Sequence, residues 1–104
     1  MARRYRILLT KRFADDLQSI FDYIATRSAQ NAPKMISRIL DALERLKVIP
    51  HRTVVRGQPE ADSHPVRSLP VGSYMILFRV FDEHRVVRVL CVRHGARRPP
   101  DHFD

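Results

Sequence analysis

Two apolar runs near the C-terminus, Tyr74-Met-Ile-Leu-Phe-Arg-Val-Phe81 and Arg85-Val-Val-Arg-Val-Leu-Cys-Val-Arg-His94, are separated only by Asp82-Glu83-His84. Stretches this rich in Val, Ile, Leu and Phe, joined by so short a polar link, form antiparallel neighbours in a sheet. Such a sheet needs one face covered, and the rest of the chain has to supply the cover.

The N-terminal half supplies it. After a short strand pattern at Tyr5 to Leu9, Thr10 is placed to cap a helix. Phe13, Leu17, Ile20, Phe21 and Ile24 then recur at spacings of three and four, lining one helical face that ends near Arg27. Asn31 is placed to cap a second helix, with Pro33 tolerated in its first turn. Ile36, Ile39, Leu40, Leu43 and Leu46 make its apolar stripe before Pro50 stops it. The short link between the stripes makes the pair a helical hairpin.

From His51 to Pro65 the chain is polar and without sustained period, which reads as a loop leading into a strand at Val66 to Leu69. Pro70-Val71-Gly72 then reads as a turn. The predicted order is β-α-α-β-β-β. The fold class is α+β, with the N-terminal helical hairpin packed on one face of a small, mainly antiparallel sheet. Strict alternation puts Val87, Val89, Cys91 and Arg93 on one side of the last strand, and Arg88, Leu90, Val92 and His94 on the other. Arg79 is then either a structural surface residue or part of a cationic face with Arg67.

At 104 residues the chain reads as one domain spanning residues 1–104, with 98–104 a flexible tail. Its 19 Lys and Arg against 11 Asp and Glu give a net charge of +8. Residues 84–98 hold Arg85, Arg88, Arg93, Arg97 and Arg98 without an acid. The excess of arginine suits bidentate contacts to phosphate or carboxylate, hence nucleic acid or an acidic protein. A lone cysteine, Cys91, in an apolar strand fits a buried thiol in a reducing compartment. No apolar run is long enough to span a bilayer and no signal-peptide pattern opens the chain, so the expected location is cytoplasmic, with no membrane partner. The five histidines are scattered without metal-ligand spacing, so no metal and no cofactor are expected. No helix-turn-helix, basic-zipper or zinc-finger pattern is present, which disfavours a stand-alone DNA-binding protein.

Several segments, in this order and spacing, resemble the RelE/ParE superfamily of type II toxins, and its ParE branch more closely. They are Ala14-Asp-Asp-Leu17 with Ile20 and Tyr23-Ile-Ala25; Ala32 with Ile36, Ile39, Leu43 and Leu46-Lys-Val-Ile-Pro50; Val66-Arg-Ser-Leu69; Tyr74-Met-Ile-Leu-Phe78; and Val87-Arg-Val-Leu-Cys-Val-Arg-His-Gly-Ala-Arg97. The resemblance implies an intracellular growth inhibitor silenced by a cognate ParD-like antitoxin, in a multi-subunit complex that meets operator DNA only through the antitoxin. ParE-like toxins resemble poisons of DNA gyrase; RelE-like ones cleave mRNA on the ribosome.

For the nuclease, an acid-base group and cations over a phosphate are required. The candidates are Glu44 as base, Arg67, Arg79, Arg93 and Arg97 as cations and His94 as the near-neutral titrating group. Against it, Gly95 stands where RNA-cleaving relatives carry a stacking aromatic. For gyrase, the candidate target patch is Arg93, His94, Arg97 and Arg98. An antitoxin segment in a groove along the sheet and hairpin would meet Leu17, Phe21, Leu40, Phe81 and Arg88, the apolar members being otherwise ordinary core.

Overall fold

Thr10 is where the chain leaves the sheet for the first helix, and it performs two tasks there. Its Oγ1 accepts the Phe13 N–H at 3.1 Å, and its hydroxyl donates to the Leu90 carbonyl at 2.8 Å. The computed structural model describes residues 4–56 and 64–95. Within these, strand β1 (Arg6–Leu9) is followed by helices α1 (Lys11–Ala25) and α2 (Asn31–Leu46). A 3-10 turn at Pro50–Arg52 leads to β2 (Val54–Arg56), β3 (Val66–Val71) and β4 (Tyr74–Phe81). A second 3-10 turn, Asp82–His84, joins β4 to β5 (Val86–His94). The sheet order is β1-β5-β4-β3-β2, with β1 parallel to β5 and every other pair antiparallel. The anticipated α+β architecture is therefore present, with one addition. The three residues of β2, read from sequence as loop, pair with Val66 to Ser68 as a short edge strand.

The helical hairpin covers one face. Phe13 and Ile20 of α1 and Ile39, Ala42, Leu43 and Leu46 of α2 are buried against Ile76, Phe78 and Val80 of β4 and Val87, Val89 and Val92 of β5. Two expected stripe members are not in this core: Phe21 and Leu40 are 36% and 43% exposed. The alanines Ala32 and Ala42 take buried places on α2 instead. Asn31 is the first helical residue rather than the cap; its N–H donates to the Ser28 hydroxyl at 3.3 Å. Helix α2 ends at Leu46, before Pro50, because the Lys47 carbonyl turns aside to accept the Tyr5 N–H at 2.8 Å.

The β3–β4 turn is tighter than the sequence suggests. Val71 pairs with Tyr74, so only Gly72 and Ser73 lie outside the ladder. Gly72 takes φ +59°, as the first position of a glycine-first hairpin turn requires. Pro70 pairs with Met75 as part of β3; β2 reaches only to Ser68, so β3 is an edge at the proline and its missing N–H is tolerated there.

One irregularity rearranges the faces of β5. Leu77 is opposite Cys91 but Phe78 is opposite Val89, so Leu90 is an extra residue, a β-bulge. Strict alternation fails at this point. Leu90 and Cys91 both leave the helix-covered face, and Val89 and Val92 both enter it. Downstream, Arg93 moves to the side of Arg88 and His94 to the helix side. There the His94 ring meets the Tyr74 ring edge-on at 5.6 Å. The expectation that Arg88 and His94 share a surface is thus corrected. Among the described residues no helix is long and apolar enough to cross a membrane.

Candidate functional site

The face of the sheet without helices carries a concentration of arginine. Register places Arg6 of β1, Arg88 of β5, Arg79 of β4 and Arg56 of β2 on it, and Arg93 at its border beyond the end of β1. Arg79 and Arg88 stand directly across from one another. A like-charged cross-strand pair destabilises a sheet, so its presence marks a surface shaped by something other than folding stability. No carboxylate shares this face among the strand residues. Two of the arginines are anchored by neighbouring groups: Arg56 Nε donates to Ser68 Oγ of β3 at 2.9 Å, and Arg79 Nη1 donates to the His64 carbonyl of the loop before β3. Their guanidinium groups are held in place, which suits them to recognise an oxyanion without a large ordering cost.

At one end of this face the Asp82–His84 turn is clasped by side chains from distant segments. Tyr5 donates its hydroxyl to Asp82 Oδ1 at 2.5 Å, and His51 Nε2 lies 2.7 Å from the same oxygen. The hydrogen bond from Tyr5, then that from His51, holds the Asp82 carboxyl below its ordinary pKa, and the same Tyr5–Asp82 bond raises the Tyr5 hydroxyl. His64 Nε2 is 2.8 Å from Glu83, and its ring packs on Phe81 with centroids 4.1 Å apart. These pairs fix the turn to the loop that precedes β3.

At the other end, a cleft of about 660 Å³ opens between α1 and the end of β5, lined by Asp16, Ile20, Tyr23, Tyr74, Arg93 and His94 among others. Asp16 Oδ2 accepts the Val92 N–H at 3.3 Å, and burial raises its pKa. Cys91 is fully buried and its thiol is pushed up to about 11, chiefly by desolvation, which leaves it a poor nucleophile.

Of the nuclease candidates, Glu44, Arg67, Arg79 and His94 do not meet; Arg93 alone lines a cleft with His94. Glu44 is exposed in the last turn of α2 and paired with Lys47 at 2.9 Å. Arg67 is on the helix side of β3, its Nη1 donating to the Thr53 carbonyl at 3.0 Å. Arg79 lies on the opposite face. His94 is opposite Tyr74, five residues along β4 from Arg79, or about 17 Å of strand. Of the anticipated target patch, Arg93 and His94 leave β5 on different sides by register yet both line the cleft beside α1, and Arg97 and Arg98 fall outside the described residues, as does the expected tail. Of the antitoxin candidates, Leu17 packs against the core, Phe21 and Leu40 are exposed on the hairpin, and Phe81 and Arg88 belong to the far side of the sheet. Sequence reasoning missed Arg6, Arg56 and Asp16, because each joins its site only through pairing or packing distant in sequence. Among the described residues no cluster of His, Cys, Asp and Glu is arranged to hold a metal ion.

A family model described as the ParE toxin of the type II toxin–antitoxin system parDE matches residues 7–99. The chain belongs to this family. No curated protein matches it by sequence. Among solved structures, a chain from the chromosomal ParDE system of P. aeruginosa aligns with a TM-score of 0.71 at 19% identity, covering 89% of this chain and 98% of that one. A chain of the toxin–antitoxin complex RelBE2 from Mycobacterium tuberculosis aligns with a TM-score of 0.63 at 24% identity, covering 88% and 98%. One from the archaeal RelE–RelB complex of Pyrococcus horikoshii gives 0.64 at 18%, covering 91% and 99%. At these identities the structures share the fold, and the fold is common to both branches of the RelE/ParE superfamily.

Proposed function

We propose that this chain is the toxin of a type II toxin–antitoxin pair, kept silent by a cognate ParD-like antitoxin, and that once released it inhibits DNA gyrase through the arginine-bearing face of its sheet. The observation that carries the choice of target is the dispersal of the acid-base candidates. Cleavage of RNA by its own 2′-hydroxyl needs a proton acceptor, a proton donor and cations around one phosphate. Here Glu44, Arg67, Arg79 and His94 are distributed over two faces and two ends of the molecule. Inhibition by binding needs only a surface, and Arg6, Arg56, Arg79 and Arg88 form one that carries no carboxylate among its described strand residues. The net charge of +8 supports fast encounter with DNA in an enzyme–DNA complex and with an antitoxin segment of opposite charge.

One observation favours a second reading, ribosome-dependent mRNA cleavage. His64 lies beside Arg79 at the rim of the same face, paired with Glu83. His64 is therefore a further candidate for the acid-base group of that reaction. The two readings separate in parallel assays on the purified protein: gyrase supercoiling with accumulation of cleaved DNA, and mRNA integrity on programmed ribosomes. Inhibited gyrase with intact mRNA is the expected result. Codon-positioned cuts with normal supercoiling, lost in His64→Ala, would replace the gyrase reading with the nuclease.

A further inference from the structure

Register aligns Arg56 of β2, Val66 of β3, Arg79 of β4, Arg88 of β5 and Leu8 of β1 in one line across all five strands of the helix-free face. At the β1 end of this line a second cleft opens, of about 360 Å³, lined by Leu8, Leu9 and Leu90 and by the cations Lys11, Arg12 and Arg88. The strand end accounts for its shape. β1 stops at Leu9, and Thr10 turns the chain into α1 while its hydroxyl and N–H are fixed on the Leu90 and Val89 carbonyls at 2.8 and 3.2 Å. The bulged Leu90 is buried and gives the cleft an apolar wall, whereas Lys11 and Arg12 stay exposed. No lining residue is acidic, and Lys11, Arg12 and Arg88 form no ion pair with a described carboxylate, although Arg12 acts on the charge of Asp16. A cleft lined by charge of one sign beside apolar walls concentrates the field and draws in counter-charge.

We propose that Lys11, Arg12 and Arg88 hold one phosphate of a DNA backbone in this cleft, and that the line from Arg88 through Arg79 to Arg56 carries the same backbone across the strands. The proposal rests on the gyrase reading and deepens it: the arginine face acts on the DNA that the enzyme holds. Strands lie about 4.8 Å apart, so the line from β2 to β1 spans about 19 Å. One strand of DNA, at about 3.4 Å per phosphate, lays about five or six nucleotides over that distance. Protein partners draw affinity chiefly from clustered apolar and aromatic anchors, whereas a nucleic-acid backbone draws it from charge. The apolar members of this line, Val66 and Leu8, are single residues set among cations. Guanidinium groups also match phosphate oxygens in bidentate geometry, and contacts to the backbone alone carry no sequence preference.

The test is fluorescence anisotropy of the full-length protein, without gyrase, on a labelled short DNA duplex and on labelled oligothymidylate across a series of salt concentrations. Polyglutamate of equal charge serves as competitor. DNA is expected to bind with log K falling linearly against log salt, and polyglutamate to compete at least about tenfold more weakly than unlabelled DNA. The double variant Lys11→Gln, Arg12→Gln, at two exposed positions, should bind roughly tenfold more weakly and lose about 0.9 from the salt slope, the value of one phosphate contact. Lys34→Gln, Arg45→Gln removes the same charge from exposed positions of α2 and should keep the parent slope. Tighter binding of the duplex than of oligothymidylate would identify an intact double helix as the source of the backbone, and the reverse a melted segment. No binding to either DNA, equal losses in the two double variants, or polyglutamate competing as well as DNA would overturn the proposal. Such a failure would leave the supercoiling assay standing, with the arginine face meeting protein carboxylates. DNA binding as expected beside uninhibited gyrase would keep the phosphate track and remove the choice of target.

Discussion

Asp16 shows how one carboxylate completes a strand that has run out of neighbours. β5 continues past the end of β1, and there the Val92 N–H is taken by Asp16 Oδ2. The arrangement requires a charge to be partly desolvated, which raises the Asp16 pKa. A raised carboxyl pKa in the folded state means that its contribution favours folding at low pH and declines as pH rises through the folded value. Asp16→Asn keeps an oxygen acceptor and has no charge to bury, so its stability at neutral pH should equal or exceed that of the parent, with a flatter pH profile. Asp16→Ala orphans the Val92 N–H and should lose about 1–3 kcal/mol. Urea denaturation of the two variants distinguishes a hydrogen-bonding role from a charge role. Tyr5 gives the opposite sign. Its bond holds Asp82 below the ordinary value of 3.8, so the stabilisation is present above that value and is lost as pH falls through the depressed folded pKa. Tyr5→Phe should therefore be less stable than the parent at neutral pH, the gap closing below about pH 4. A constant gap down to the acid limit would show that the Asp82 bond contributes nothing.

Among the elements, the helices carry the stability and the strands carry the sites. Phe13 is fully buried between α1 and the sheet, and Phe13→Ala should cost about 3–5 kcal/mol. Leu40→Ser, on the exposed side of α2, should cost under about 1 kcal/mol. Comparable losses for the two in urea denaturation would mean that the hairpin is buried in a way its exposure does not show. Most of this level was legible in the sequence: both stripes, the cap at Thr10, the β4–β5 hairpin and the cover of one sheet face follow from periodicity. Phe21 and Leu40, read as stripe members, are exposed, whereas Ala32 and Ala42, small residues that a count of large apolar side chains passes over, are buried on α2. The bulge at Leu90 was not legible. Nothing in Val89-Leu-Cys-Val92 announces it, and what accompanies it is a set of bonds from elsewhere: the Thr10 hydroxyl on the Leu90 carbonyl and Asp16 on the Val92 N–H. That single unannounced residue decides which side of the sheet Arg93 and His94 face, and so overturns the expectation that Arg88 and His94 share a surface. Arg6 and Arg56 entered the site by a similar route, from edge strands whose pairing is non-local.

On the scale of the whole molecule, the asymmetry between the two sheet faces is the property that matters. One face is sealed by helices and supplies the core; the other holds fixed guanidinium groups in a like-charged array. Such an array works against the sheet that bears it, so removing part of it should leave stability unchanged or slightly improved while weakening any anionic contact. This separation of stability from activity makes the central claim directly testable. The decisive measurement is gyrase supercoiling inhibition by the double variant Arg79→Gln, Arg88→Gln, prepared alongside the parent and matched for urea midpoint. The concentration needed for half-inhibition should rise by at least about tenfold, the loss of two charged contacts to an oxyanion, with no loss of folding stability. Undiminished inhibition by the equally stable double variant would contradict the assignment of the arginine face as the surface that meets gyrase.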